Sequence, residues 1–229
     1  MKNSINKGKI FPMMSEALGF YEIPSERHKK YKSITSSIFQ KAPQEHIRSP
    51  NKEKNPLYHV CNRADQNIFK QYPELNELEQ DLKELSLNYI HITGYICDEV
   101  VITDAWLNLG KKNATLGDHN HLNSFLSGTY YINFDPNKHS LLSFYNDRLI
   151  KGMTRSPSFS LPRRNDLNTM FNTEKIDINS TEGQVLIWKS HLIHGYQIPN
   201  PTDNRLTLSF NIMPKVCTDG HIYSFTIES

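Results

Sequence analysis

The sequence predicts a mainly β domain, a sandwich or jelly roll, preceded by helices. After residue 94, short apolar or alternating segments are separated by Gly, Pro, Asn and Asp, a pattern typical of many strands joined by turns. Before residue 94, leucines recur at spacings of two to four residues, close to the helical period. We expect residues 1–94 to be a helical support region and residues 95–229 a β core, together forming one integrated domain.

Two helices are expected in the support region. The first is SERHKKYKSITSSIFQ, with Ser25 as its N-cap. The second lies in NRADQNIFKQYPELNELEQDLKELSLNYIHITGY, with Pro73 near its first turn and the leucines packed on the rest of the fold. Between them, KAPQEHIRSPNKEKNPLY has prolines and charges without a period, which predicts a surface loop.

The predicted strands begin at DEVVITDAWLNLG, which is rich in β-branched and aromatic residues. The segments that follow with the same texture are HNHL, SGTYYINF, SLLSFYN, GQVLIWKS, LIHGYQI, RLTLSFNIM and HIYSFTI. The stretch from Ile150 to Ser180 is long and polar, which predicts a loop that could cover a binding site.

Composition argues against several classes of protein. The 229 residues carry a net charge of +2, too balanced for a nucleic-acid or membrane surface. No apolar run could span a bilayer, and the N-terminal MKNSINKGKIFPMM lacks the apolar core of a signal peptide. Cys61, Cys97 and Cys217 are far apart and odd in number, which disfavours a disulfide framework or a cysteine zinc site. We expect a cytoplasmic protein.

Two histidines two residues apart suggest a metal site. On a strand, His119 and His121 would point to the same face and could reach one ion from one side. His194 lies at the start of another predicted strand, and two close ligands with one remote ligand would leave open positions on the metal. The alternative is that these are surface or structural histidines, as we expect for most of the ten in the chain.

The segment RLTLSFN has one polar and one apolar face. A polar face inside a small barrel needs partners, and a buried Arg205 would need an anion. Its planar guanidinium suits a carboxylate, to which the Thr207 hydroxyl could add a hydrogen bond. The alternative is an exposed Arg205 paired with Asp203. The two faces are Arg205, Thr207, Ser209 and Asn211 against Leu206, Leu208, Phe210 and Ile212.

Tyr131 fits the same interpretation. It shares one face of SGTYYINF with Thr129 and Asn133. If that face points inward, the Tyr131 hydroxyl can donate to the carboxylate that Arg205 holds. A purely structural core tyrosine is the alternative.

Five motifs occur in a specific order: WLN, HNH, SGTYY, SHLIHGYQIPN and RLTLSFN. Together they resemble a branch of uncharacterised 2-oxoglutarate/Fe(II) oxygenases found in phages and marine bacteria. The resemblance extends into the helical region, at FKQYPELNEL. It implies a double-stranded β-helix (jelly-roll) core with supporting N-terminal helices. It also implies Fe(II) as cofactor and 2-oxoglutarate and O2 as co-substrates.

The resemblance also implies roles for individual residues. His119, His121 and His194 fall at the positions of iron ligands. Arg205 falls at the arginine that binds the far carboxylate of 2-oxoglutarate, with Thr207 and Tyr131 as its partners.

His121 departs from the wider superfamily, in which HxD or HxE completes a site of two histidines and one carboxylate. Three alternatives follow. His121 ligates and gives a three-histidine site, which we prefer. It could instead lie near the iron while water fills the position, or Asp118 could supply a carboxylate after a local kink.

The expected function is that of a 2-oxoglutarate- and Fe(II)-dependent dioxygenase, a hydroxylase of a small molecule or of a protein or peptide. Nucleic acid is disfavoured as a substrate, no membrane partner is expected, and the oligomeric state is open. Two alternative hypotheses are a cupin-like metal enzyme without 2-oxoglutarate, which would not need Arg205, and a non-catalytic jelly-roll binding module. Residues that could line or cover the pocket are Trp106, Asn108, Arg148, Arg155, Arg163 and Arg164.

Overall fold

The computed structural model describes residues 15–49, 55–61, 66–147 and 169–216, with the isolated positions 12, 149, 162, 166 and 167. The predicted strand HIYSFTI lies outside these residues. Cys217, Arg148, Arg155, Arg163 and Arg164 lie outside them too, as do residues 150–161 of the predicted loop.

The described strands form two antiparallel sheets. Those of the larger sheet are β1 Leu18–Glu22, β2 Ile47–Arg48, β3 Leu57–Val60, β4 Glu99–Gly110, β6 Leu126–Asn133, β9 Gln184–Lys189 and β11 Arg205–Val216. Those of the smaller sheet are β5 Leu116–His119, β7 Leu142–Tyr145, β8 Lys175–Ile178 and β10 Ile193–Tyr196. The strand orders are β1-β9-β6-β11-β4-β3-β2 and β5-β10-β7-β8. The predicted mainly β jelly roll is therefore confirmed.

Strand β11 occupies the centre of the larger sheet, between β6 and β4. Its apolar side chains join the main core, beneath the two helices. Its polar side chains line a pocket between the sheets, together with residues of β5 and β10. The alternation in RLTLSFN thus divides the core from the site.

Two long helices support the larger sheet, α1 Ser25–Lys41 and α2 Asn76–Ile92. Leu78 and Leu82 of α2 are fully buried. Both helices were predicted, but Ser25 is not the cap. Pro24 occupies the N-cap position of α1 and provides no side-chain hydrogen bond, so Ser25 is already the first helical residue. Pro73 begins a short 3₁₀ helix, Pro73–Leu75, that leads directly into α2.

The region expected to be helical also contributes three strands. Strand β1 pairs with β9, and β3 pairs with β4. Strands β2 and β3 begin within the predicted loop KAPQEHIRSPNKEKNPLY. These strands are short and lie at or next to sheet edges, where charged residues and proline are tolerated, so the sequence pattern missed them. The division of the chain at residue 94 stays a prediction.

Two further strands differ from the prediction. Strand β8 lies within the stretch predicted to be a loop. The segment HNHL is not a strand, because β5 ends at His119 and the following residues turn away. Within the described parts of the chain, no helix is long and apolar enough to cross a membrane. Cys61 and Cys97 are buried, and neither forms a disulfide with another described cysteine.

Candidate functional site

Three histidines meet in the pocket between the two sheets. His119 ends β5 and pairs in register with His194 of β10. His121 lies in the turn after β5, where its backbone N–H donates to the Ser190 carbonyl at 2.9 Å. One ring nitrogen from each histidine lies within 4.8 Å of the others. The expected residues therefore come together, although His121 reaches the site from a turn and not from a strand.

Two of these rings are oriented by backbone carbonyls. Nδ1 of His119 hydrogen-bonds the Gly117 carbonyl at 2.8 Å, and Nδ1 of His194 hydrogen-bonds the Leu192 carbonyl at 2.8 Å. Because a carbonyl accepts, each Nδ1 carries the proton and donates. The lone pair then lies on Nε2, the arrangement that metal-binding histidines commonly show.

Burial keeps two of the three imidazoles neutral. Burial lowers the pKa of His194 to about 3, with the bond to Leu192 opposing and the other two imidazoles adding to the decrease. Burial also lowers the pKa of His121 to about 4, with His119 adding and the Asp104 carboxylate opposing. Neutral imidazole is the form that binds metal, so both rings are available at neutral pH.

Aromatic rings surround the histidines. Trp188 and Phe144 lie with ring centroids 4.9 Å and 6.0 Å from that of His194. Trp106 lies 5.8 Å from His121. Asp118 is not part of the cluster: its carboxylate accepts a hydrogen bond from the Gln197 side chain. Among the described residues, the donors in reach of one ion are therefore three imidazoles in a largely apolar setting.

Arg205 lies in the same pocket and is buried, with 3% of its surface exposed. Its Nε donates to the Ser140 carbonyl at 3.1 Å. Within the described chain no carboxylate pairs with it, and Asp203 instead accepts from the Lys112 backbone N–H. The alternative of an exposed Arg205–Asp203 pair is therefore wrong. A buried guanidinium without a counter-ion indicates a place for an anion.

Unpaired hydroxyls surround this guanidinium. Its carbon lies 4.5 Å from the ring centroid of Tyr196 and 5.9 Å from that of Tyr131. Both tyrosines are buried, and neither hydroxyl has a hydrogen-bond partner among the described residues. Burial raises the pKa of Tyr131, against the effects of the Arg205 charge and of the nearby Ser180 hydroxyl, so the phenol stays protonated and can donate. A cation with free donors beside it fits a carboxylate.

The polar face of β11 continues toward the histidines. Thr207 is buried and its hydroxyl lies 3.5 Å from Nδ2 of Asn108. The same Asn108 nitrogen donates to the Ser209 hydroxyl at 2.9 Å. Trp106 and Asn108 both line the pocket, as expected.

Several pocket residues were not found from the sequence. His59 was treated as an isolated histidine, yet its Nδ1 bonds Oδ1 of Asn108 at 2.5 Å. The pairing of β3 with β4 places His59 opposite Asn108, and that register was not predictable from a four-residue strand. Trp188, Tyr196 and Ser140 were also missed, because each looks like an ordinary core residue in the sequence.

Residues 104–211 match the model of a family described as "Putative 2OG-Fe(II) oxygenase". This part of the chain is similar to the 2-oxoglutarate/Fe(II) oxygenases. The matched region is slightly less than half of the chain and contains all five motifs that suggested the family. The match supports the predicted family, oxygenase activity and cofactors. The placement of the chain in a phage and marine-bacterial branch remains a prediction.

Solved structures share the fold of this chain at low identity. The epimerase SnoN in complex with Fe3+, alpha ketoglutarate and nogalamycin RO is 10% identical, with 93% of this chain and 91% of that chain covered and a TM-score of 0.65. HygX from Streptomyces hygroscopicus, with nickel, 2-oxoglutarate and hygromycin B bound, is 12% identical, with 87% and 83% covered and a TM-score of 0.58.

A Pseudomonas putida prolyl-4-hydroxylase is 10% identical, with 88% of this chain and 94% of that chain covered and a TM-score of 0.53. At such identities these similarities establish the fold alone. A search of curated proteins found no match.

Proposed function

We propose that this oxygenase binds Fe(II) through three histidines, His119, His121 and His194, and hydroxylates a small molecule. The far carboxylate of 2-oxoglutarate is held by Arg205 with help from neighbouring hydroxyls. One observation carries the proposal: three clustered imidazoles and a buried arginine that has no counter-ion among the described residues line the same pocket. When bound, iron and 2-oxoglutarate supply the oxidising chemistry with O2.

The histidines present neutral donors to the metal. The carbonyls of Gly117 and Leu192 fix the tautomers of His119 and His194, so that no proton has to leave Nε2 before iron binds. The surrounding aromatic rings keep bulk water away from this end of the pocket. His121 occupies the place where the superfamily has a carboxylate, and the proposed ligand set is therefore uncharged.

The buried Arg205 supports 2-oxoglutarate as the co-substrate. A guanidinium binds a carboxylate through parallel charge-assisted hydrogen bonds. Tyr131 donates its free hydroxyl to the same carboxylate, and Thr207 supplies a hydroxyl from the next inward position of β11. A cupin-like enzyme without 2-oxoglutarate would leave the buried charge of Arg205 without a partner.

A small-molecule substrate is supported by the structural relatives. HygX binds hygromycin B and SnoN binds nogalamycin RO, both in structures that also hold the 2-oxo acid. In this chain we place the substrate beside Trp106 and His121, at the end of the pocket away from Arg205. Hydroxylation is the outcome that we propose, because it needs no further group from the protein than those that position the substrate.

The test is an anaerobic titration of the Fe(II)-loaded protein with 2-oxoglutarate, followed by the visible charge-transfer absorption of the chelated metal. We expect the band in the wild type. We expect Arg205→Ala to require much more 2-oxoglutarate to produce it, and His194→Ala to lose it together with iron. His191→Ala is the matched control, because His191 is partly exposed, pairs with Glu16 and lies outside the histidine cluster.

Each outcome has a distinct meaning. Iron binding without a band in the wild type would exclude 2-oxoglutarate as the co-substrate of this site. An unchanged titration of Arg205→Ala would place the far carboxylate elsewhere. Full iron binding by His194→Ala would remove this histidine from the ligand set.

A further inference from the structure

A carboxylate without a cation partner lies on the pocket side of β4. Asp104 precedes Trp106 by two residues, so alternation along the strand places both side chains on one face. Across the sheet it lies opposite Asn211, which lines the pocket. The Thr103 hydroxyl donates to its Oδ2 at 2.8 Å, and no lysine or arginine of the described chain forms an ion pair with it.

The proposed ligand set creates a need for a compensating negative charge near the metal. Three neutral imidazoles leave a divalent metal with its full charge, whereas a carboxylate ligand would remove part of it. Arg205 adds another positive charge to the pocket. In surroundings made of Trp106, Trp188 and Phe144, uncompensated charge is costly.

The partly buried Asp104 carries a negative charge that has no positive partner among the described residues. A carboxylate that is withdrawn from water and has no cation is itself costly, and a metal ion nearby would relieve both costs. Trp106, on the same face of β4, lies with its ring centroid 5.8 Å from that of His121, so Asp104 lies at the histidine end of the pocket.

We propose that Asp104 is the counter-charge of the metal centre, an outer carboxylate that compensates for a histidine at position 121 without taking a ligand position. This inference rests on the proposed three-histidine iron site. Asp104 is a positioning residue, since it acts on the metal through space and through His121. Asp118 is nearer to the ligands in sequence, but it packs against Gly195, where an added Cβ would lie 2.7 Å from its Oδ1. Its carboxylate also accepts from Gln197.

The experiment is a double-mutant cycle on metal affinity, with Co(II) alone as the probe and a competing chelator as the readout. The proteins are wild type, Asp104→Asn, His121→Asp and the double variant. We expect Asp104→Asn to weaken Co(II) binding about 10- to 100-fold, the range for loss of an outer partner. In the His121→Asp background we expect the same change to cost less than about threefold, because a ligand carboxylate already compensates the metal.

The controls separate this inference from its alternatives. Asp118→Asn should leave Co(II) affinity within about twofold of the wild type. Wild-type affinity in Asp104→Asn would overturn the inference, as would an equal loss in both backgrounds, since that reports a structural effect. A change in the number of ligands seen in the Co(II) absorption spectrum of Asp104→Asn would make Asp104 a ligand and also overturn it. If the wild type does not bind Co(II), the proposed metal site itself fails.

Discussion

The two ends of the pocket are built from different kinds of structure and carry different charge. The arginine end rests on β11, the central strand of the larger sheet, and holds a buried cation without a counter-ion. The histidine end rests on two short strands of the smaller sheet and on a turn, and burial keeps the imidazoles of His121 and His194 neutral. One end is therefore prepared for an anion and the other for a metal. Changes at the two ends should affect different measurements.

Arg205→Leu should have the largest effect, and it should act at the arginine end of the pocket. We expect 2-oxoglutarate affinity to fall by about 2–5 kcal/mol, because a buried charged partner is removed. The ligand-free protein should be no less stable, since replacing a buried charge by an apolar side chain is often neutral or stabilising. Isothermal titration of the Ni(II)-loaded protein and urea unfolding of the metal-free protein measure the two effects.

Arg205→Lys is the matched control at this position. It keeps the charge but loses the planar fork, so it should retain part of the affinity. If Arg205→Leu instead destabilised the ligand-free protein by several kcal/mol, the guanidinium would be a structural group, and the anion site would have to be reconsidered.

The same contrast explains what the sequence could predict. On β11, alternation alone placed Thr207 and Ser209 in the pocket and Leu208 and Phe210 in the core, because a regular strand fixes the direction of each side chain. The long strands of the larger sheet, both helices and the arginine end followed from such local periodicity.

The histidine end was predicted by residue type and not by geometry. The sequence pattern predicted His121 on a strand, but a backbone hydrogen bond to Ser190 holds it in a turn. Ser190 in turn shares a hydrogen bond of 2.9 Å with Ser127. These contacts join segments far apart in sequence, and no local pattern records them. Short edge strands such as β2 and β3 were missed for the same reason.

The pH dependence of stability should show the next largest difference between the two ends of the pocket. The pKa of His194 is about 3 in the folded protein and close to 6.5 when unfolded, so the unfolded chain binds more protons between these values. Stability of the metal-free protein is then lost as the pH falls below about 6.5, at about 1.4 kcal/mol per pH unit for this group.

His194→Gln should remove that contribution. Relative to the wild type, we expect it to gain about 2 kcal/mol between pH 7.5 and 5 in urea unfolding of the metal-free proteins. Arg205→Leu should follow the wild-type pH curve, because the guanidinium does not titrate in this range. Parallel curves for wild type and His194→Gln would contradict the neutral, buried state of this ring.

Tyr131→Phe should produce the smallest of these effects. Its hydroxyl has no partner in the described chain, so removing it should leave the ligand-free protein equally stable or more stable by about 1 kcal/mol. If that hydroxyl binds 2-oxoglutarate, the affinity should fall by about 0.5–1.5 kcal/mol in the same titration.

Tyr130→Phe tests whether the effect belongs to the pocket face. Tyr130 is the next residue on β6, is equally buried, and packs in the main core, where its hydroxyl hydrogen-bonds Nδ1 of His28 at 2.6 Å. We expect this variant to lose stability, because it leaves His28 without that partner, and to keep 2-oxoglutarate affinity. The two neighbouring tyrosines should therefore show opposite patterns. The same pattern for both would mean that the Tyr131 hydroxyl serves the fold and not the co-substrate.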